Sequence, residues 1–122
     1  MEYLLIIYQD ETSAKLATEA DQKAMFKAYS DFTAGVVKSG KMRGGNALEP
    51  SSTATTVRVR EGKTLTTDGP YTETKEQLGG YYLVDAKDLD DAIRLAAGIP
   101  GASFGSVEVR PVRPMPADYP RP

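Results

Sequence analysis

The chain has 122 residues, 40% hydrophobic and 26% charged, which fits one globular domain able to bury a core. Its 15 basic and 17 acidic residues leave a formal charge of −2, so there is no basic field for nucleic acid and no basic amphipathic helix for a membrane surface. With neither cysteine nor histidine, it excludes disulfides, zinc–thiolate sites, cysteine nucleophiles and the commonest general base near neutral pH.

Tyr3 to Tyr8 is a continuous apolar and aromatic run, which predicts a buried central strand. The run is only six residues long, has no basic leader and stops at Gln9-Asp10-Glu11, so neither a signal peptide nor a membrane span is expected and the placement is cytoplasmic. Gln9 to Asp21 is polar and reads as a loop, ending in capping groups at Thr18 to Asp21. From Gln22 to Lys38, Met25, Tyr29, Phe32 and Val36 recur at helical spacing, with Phe26 and Val37 broadening the stripe. Ser39-Gly40 ends that helix through a left-handed glycine.

Lys41 to Leu48 is a strand weakened by Gly44-Gly45. Thr55 to Arg60 alternates and is rich in β-branched residues; Glu61-Gly62 and a second short strand, Lys63 to Thr67, complete a hairpin. Asp68-Gly69-Pro70 breaks regular structure, and Tyr71 to Leu78 reads as a polar loop. Gly79-Gly80 introduces the strand Tyr81 to Asp85, Asp88 caps a helix striped by Leu89, Ile93 and Ala96, and Ser106 to Val112 is the last strand. Five prolines between Pro111 and Pro122 make the end an extended arm, so the domain spans 1–113 and the tail 114–122.

Without the hairpin the order is βαββαβ, the ferredoxin-like arrangement: an α+β fold with one sheet, two helices on one face and an inserted β-hairpin. The other face of such a sheet is bare and usually buries itself against a second subunit, so a homodimer is the expected state.

The segment Thr67-Asp68-Gly69-Pro70-Tyr71-Thr72-Glu73-Thr74-Lys75-Glu76-Gln77-Leu78-Gly79-Gly80-Tyr81-Tyr82 resembles the signature of the DGPF branch of the YCII-related family. Tyr71 stands where that branch usually has phenylalanine. The opening strand, the Gly44-Gly45 strand, Ala54 to Arg58 and Ser106 to Pro111 are also similar to the family. The resemblance implies a ferredoxin-like fold that dimerises as an α-β barrel, and it implies no established activity. Shorter YCII-related proteins carry a His–Asp pair in a cleft; a chain without histidine cannot assemble it, so their chemistry does not transfer. Relative to them, about Ala54 to Glu76 is an insertion. Some family members are encoded near or fused to extracytoplasmic-function sigma factors, which implies a regulatory setting.

The candidate catalytic residue is Asp68, presented by the Asp68-Gly69-Pro70-Tyr71 turn; the plainer reading is a turn in which Asp68 caps its own backbone and Gly69 takes a positive φ. Tyr71, Glu73, Lys75, Glu76 and Tyr82 are candidates for lining a pocket, with Lys75 binding an anion or pairing with Asp68; the plainer reading of the charges is a solvated loop. The glycine pairs read as bulges or close strand packing, the alternative being room for a ligand against the sheet. Tyr81 and Tyr82 point to opposite faces, so one of them meets the bare side. Asp88, Asp90 and Asp91 are the acidic first turn of a helix rather than a metal site, and no cofactor motif is present. Two readings follow: a ligand-sensing or interaction module working as a dimer, or a cofactor-independent enzyme using Asp68 or Glu73 as base with Tyr71 or Lys75 assisting.

Overall fold

The computed structural model describes residues 1–122. Four strands form one antiparallel sheet: β1 (Glu2–Gln9), β2 (Met42–Ala47), β5 (Gln77–Asp85) and β6 (Ser106–Pro111), in the order β2-β5-β1-β6. The apolar β1 lies inside it, paired with β5 on one side and β6 on the other. This is the strand order of an interleaved pair of βαβ units, so the expected ferredoxin-like α+β fold is observed. β3 (Thr55–Arg60) and β4 (Lys63–Asp68) form a separate two-stranded ribbon. Its turn places Glu61 at φ 52° and Gly62 at φ 75°, the two consecutive positive φ values of a type I′ hairpin.

Three helices complete the chain: α1 (Glu11–Lys15), α2 (Glu19–Lys38) and α3 (Leu89–Ala97). The Thr18 hydroxyl accepts from the Asp21 amide while the Asp21 carboxylate accepts from the Thr18 amide, a capping box that starts α2. Gly40 follows α2 at φ 78°, the left-handed stop its sequence requires. In α3 the Asp88 side chain accepts from the Asp91 amide.

The core lies between the sheet and helices α2 and α3. Tyr3, Leu5 and Ile7 of β1 and Tyr82 and Val84 of β5 share one face and pack with Val36, Ala92, Leu95, Ala96 and Ile99. Leu5, Val84 and Ile99 are almost wholly buried, and each contributes roughly 1.5–3 kcal/mol by leaving water. The other sheet face carries half-buried Leu4, Ile6, Tyr8, Tyr81 and Leu83, with no helix over it.

Several expectations need correction. Glu11 to Lys15, read as loop, is a short helix, because Asp10 caps it by accepting from the Thr12 amide at 2.9 Å. β5 begins at Gln77, not at Tyr81, because Leu78 pairs with Tyr8 across the Gly79 bulge. Asp68 closes β4 opposite Thr55, so it is a strand end; Gly69 alone takes the positive φ, at 103°. Phe26 and Val37 lie outside the core stripe and are exposed, since each sits about 100° around the helix from its core-facing neighbour.

Candidate functional site

The Gly44-Gly45 and Gly79-Gly80 pairs do two things at once. Each lies at a register shift, one between Met42 and Gly44 and one where Ile7 passes to Tyr8. They also allow β2 and β5 to approach: a Cβ on Gly45 would stand 2.9 Å from the Tyr81 carbonyl oxygen, and one on Gly80 would stand 2.9 Å from that of Asn46. Gly45 pairs with Tyr82 and Gly80 with Ile7, so both glycines lie on the sheet face that the helices cover. Where side chains would have filled the gap beneath α2, a half-open cleft of about 360 Å³ remains. Ile7 and Gln9 of β1, Tyr29 and Thr33 of α2, and Met42 and Ala47 of β2 complete its walls, with Gly79, Tyr81, Tyr82 and Asn46.

The cleft contains no Asp, Glu, Lys or Arg. Its polar groups are held by one another. The Gln9 amide donates to the Tyr29 hydroxyl at 3.0 Å, and the Gly101 backbone N–H donates to the same oxygen at 3.2 Å. Gly101 must lack a side chain here, because a Cβ would meet Gln9 Nε2 at 2.6 Å and the Tyr29 hydroxyl at 2.7 Å. Burial pushes the Tyr29 phenol above its ordinary value of 10.0, partly offset by the hydrogen bonds from Gly101 and Gln9, so it is a neutral hydroxyl at physiological pH. Tyr82 shares a 2.7 Å hydrogen bond with the Thr33 hydroxyl, and Phe32 packs edge-on against its ring at 5.2 Å. Tyr81 turns to the opposite face and accepts from Asn46 Nδ2 at 2.8 Å.

Of the catalytic and pocket candidates named from the sequence, Tyr82 alone lines this cleft. Tyr81 lines it too, as do the glycines Gly45, Gly79 and Gly80, whose alternative reading was room for a ligand against the sheet. Asp68 is exposed at the end of the hairpin. Tyr71 is exposed as well, its ring 5.6 Å from the Arg58 guanidinium of β3. Glu73 and Lys75 lie in solvent on the connection to β5. Glu76 is half-buried and accepts from the Ser106 hydroxyl at 2.7 Å, which ties the connection to β6. The structure therefore places none of Asp68, Tyr71, Glu73 and Lys75 in the cleft under α2.

The residues that sequence reasoning missed are Gln9, Tyr29, Thr33, Asn46 and Gly101. Tyr29 was legible only as a member of the apolar helix stripe. The available signal was Thr33, a polar residue four positions after Tyr29 and therefore on the same helix face.

The matched regions agree with this architecture. Residues 1–116 match the YCII-related domain. The chain belongs to the YCII-related family. It is also 36% identical over 114 residues to an uncharacterized protein of Rhizobium meliloti (strain 1021), covering 92% of each chain. The matched residues include every residue that lines the cleft. No helix of this YCII-related chain is long and apolar enough to cross a membrane.

Proposed function

We propose that this YCII-related chain is a small-molecule-binding module without catalysis of its own, working as a homodimer, and that it belongs to the DGPF branch. The single observation that carries the proposal is the cleft under α2. It is formed at the cost of missing side chains, is lined by fixed hydroxyl and amide groups, and contains no ionised group. Such a site suits recognition of a small uncharged molecule by shape and hydrogen bonds. Acid–base catalysis needs a group whose pKa lies near the working pH, and the lining offers only phenols as ionisable groups, with the Tyr29 phenol shifted away from that range. The exposure of Asp68 and Glu73 weighs against the alternative of an enzyme with a carboxylate base.

The half-apolar sheet face with Leu4, Ile6 and Leu83 supports the homodimer. A ligand-responsive dimer fits a regulatory setting, including association with a sigma factor. The experiment is a thermal-shift screen with neutral phenols and amides, small carboxylates and nucleotides. It is run on the natural chain and on Ala47→Phe, which places a ring in the cleft from an exposed position. A ligand at 100 times its Kd stabilises by about 2.7 kcal/mol. Stabilisation by a neutral compound that Ala47→Phe abolishes supports the proposal; stabilisation that survives unchanged refutes it.

A further inference from the structure

Resting on the cleft reading above, the hydrogen-bond count around Tyr29 points to a ligand class. We infer that the cleft takes a small, uncharged molecule that presents a hydrogen-bond acceptor, a carbonyl oxygen or its equivalent, to the Tyr29–Gln9 pair. The Tyr29 oxygen already accepts two hydrogen bonds, from Gln9 Nε2 and from the Gly101 N–H. A phenol oxygen with both lone-pair directions engaged has only its proton left to offer. No carbonyl or carboxylate of the chain takes that proton, since both bonds to this hydroxyl are donated to it.

The orientation of the Gln9 amide does not alter the result. Reversing it hands the phenol proton to Gln9 Oε1 and frees the amide NH2 instead, so a surplus donor remains in either case. The neighbouring pair behaves alike. Tyr82 and Thr33 hold two hydroxyl protons and share one hydrogen bond, which leaves a second donor on the same wall. The site thus offers unpaired donors, beside the Gln9 amide oxygen as an acceptor, while bearing no positive charge. That combination favours a neutral acceptor. A carboxylate would surrender its hydration to a half-apolar cleft with no cation to compensate.

The test uses three probes of nearly one shape: acetophenone, which has a neutral carbonyl; α-methylstyrene, which replaces that oxygen by a methylene; and benzoate, which is anionic. Each is titrated to millimolar concentration into the 15N-labelled natural chain, and the amide signals of Gly45, Gly79, Gly80 and Gly101 are followed. The expected result is saturable shifts with acetophenone at these glycines and binding about fivefold weaker for α-methylstyrene, the loss of one hydrogen bond. Tyr29→Phe should weaken acetophenone by a similar factor and leave α-methylstyrene unchanged. Equal binding of acetophenone and α-methylstyrene, or tighter binding of benzoate, overturns the acceptor inference while leaving the cleft reading intact. No shift at these glycines with any of the three overturns both. The comparison of probes on the natural chain stands even if Tyr29→Phe fails to fold.

Discussion

Replacing Gly101 by alanine should destabilise the protein, because its Cα faces the two polar groups that organise the cleft. The new methyl would lie 2.6 Å from Gln9 Nε2, 2.7 Å from the Tyr29 hydroxyl and 3.3 Å from Ile7 Cγ2. The Gln9 amide ends a flexible side chain and can swing aside. Tyr29 cannot, because its hydroxyl is at the tip of a rigid ring whose helix is packed on the sheet. The substitution therefore both overpacks the site and breaks the 3.2 Å bond from the Gly101 N–H. Overpacking of one methyl costs about 1–3 kcal/mol and a lost hydrogen bond about 1 kcal/mol, so about 2–4 kcal/mol is expected in total. At this chain length that is a fall in Tm of about 8–16 °C, near 4 °C per kcal/mol. Gly35→Ala is the control of opposite sign: Gly35 lies inside α2 with nothing within 4 Å of its missing Cβ. Alanine there should raise stability by about 0.5–1 kcal/mol through helix propensity. Calorimetric or urea unfolding of both variants decides the matter. A Gly101→Ala protein as stable as the natural chain would refute the close approach of Gly101 to Tyr29 on which the site is built.

Acid should weaken the fold in part through Asp91. Its carboxylate is held far below the usual carboxylate range by Lys41 Nζ at 2.6 Å, then by the Lys87 amide and by Arg94. A carboxylate with a depressed folded-state pKa stabilises fully above its unfolded value of about 3.9, and that contribution is lost as pH falls towards the folded value. Asp91→Asn should therefore flatten the loss of stability between about pH 4 and pH 2 in a denaturant series, and an unchanged slope would remove Asp91 from the account. Leu5→Ala should cost about 3 kcal/mol, because Leu5 has no exposed surface and lies at the centre of the core; urea unfolding measures it. Light scattering at micromolar concentration should give twice the 13.2 kDa chain mass, and a monomeric mass would dismiss the homodimer.

Much of the fold was legible because its signals are local. The apolar run of β1, the four-three-four spacing in α2, the capping residues Thr18 and Asp88 and the Glu61-Gly62 turn each state their own structure. Gln77 and Leu78 read as loop because they follow a charged stretch, and only pairing with β1 makes them strand. The site was less legible, for a physical reason. Asp68, Tyr71, Glu73 and Lys75 carry functional groups and a long motif, so they attract attention, yet they decorate a ribbon and a connection that the sheet does not enclose. The cleft is made by absence, at Gly45 and Gly80, and by Tyr29, which sequence periodicity can only count as core. Gly101 reaches Tyr29 across 72 positions of sequence, a contact no local pattern announces.

The most direct test of a binding site under α2 is a chemical-shift map of the 15N-labelled chain with the most stabilising compound from the thermal-shift screen. The account predicts shifts concentrated at Gln9, Thr33, Gly45, Gly79, Gly80 and Gly101, around the glycine floor and its tyrosine wall. Shifts concentrated instead at Asp68 to Glu76, with those residues undisturbed, would contradict it and return the function to the hairpin.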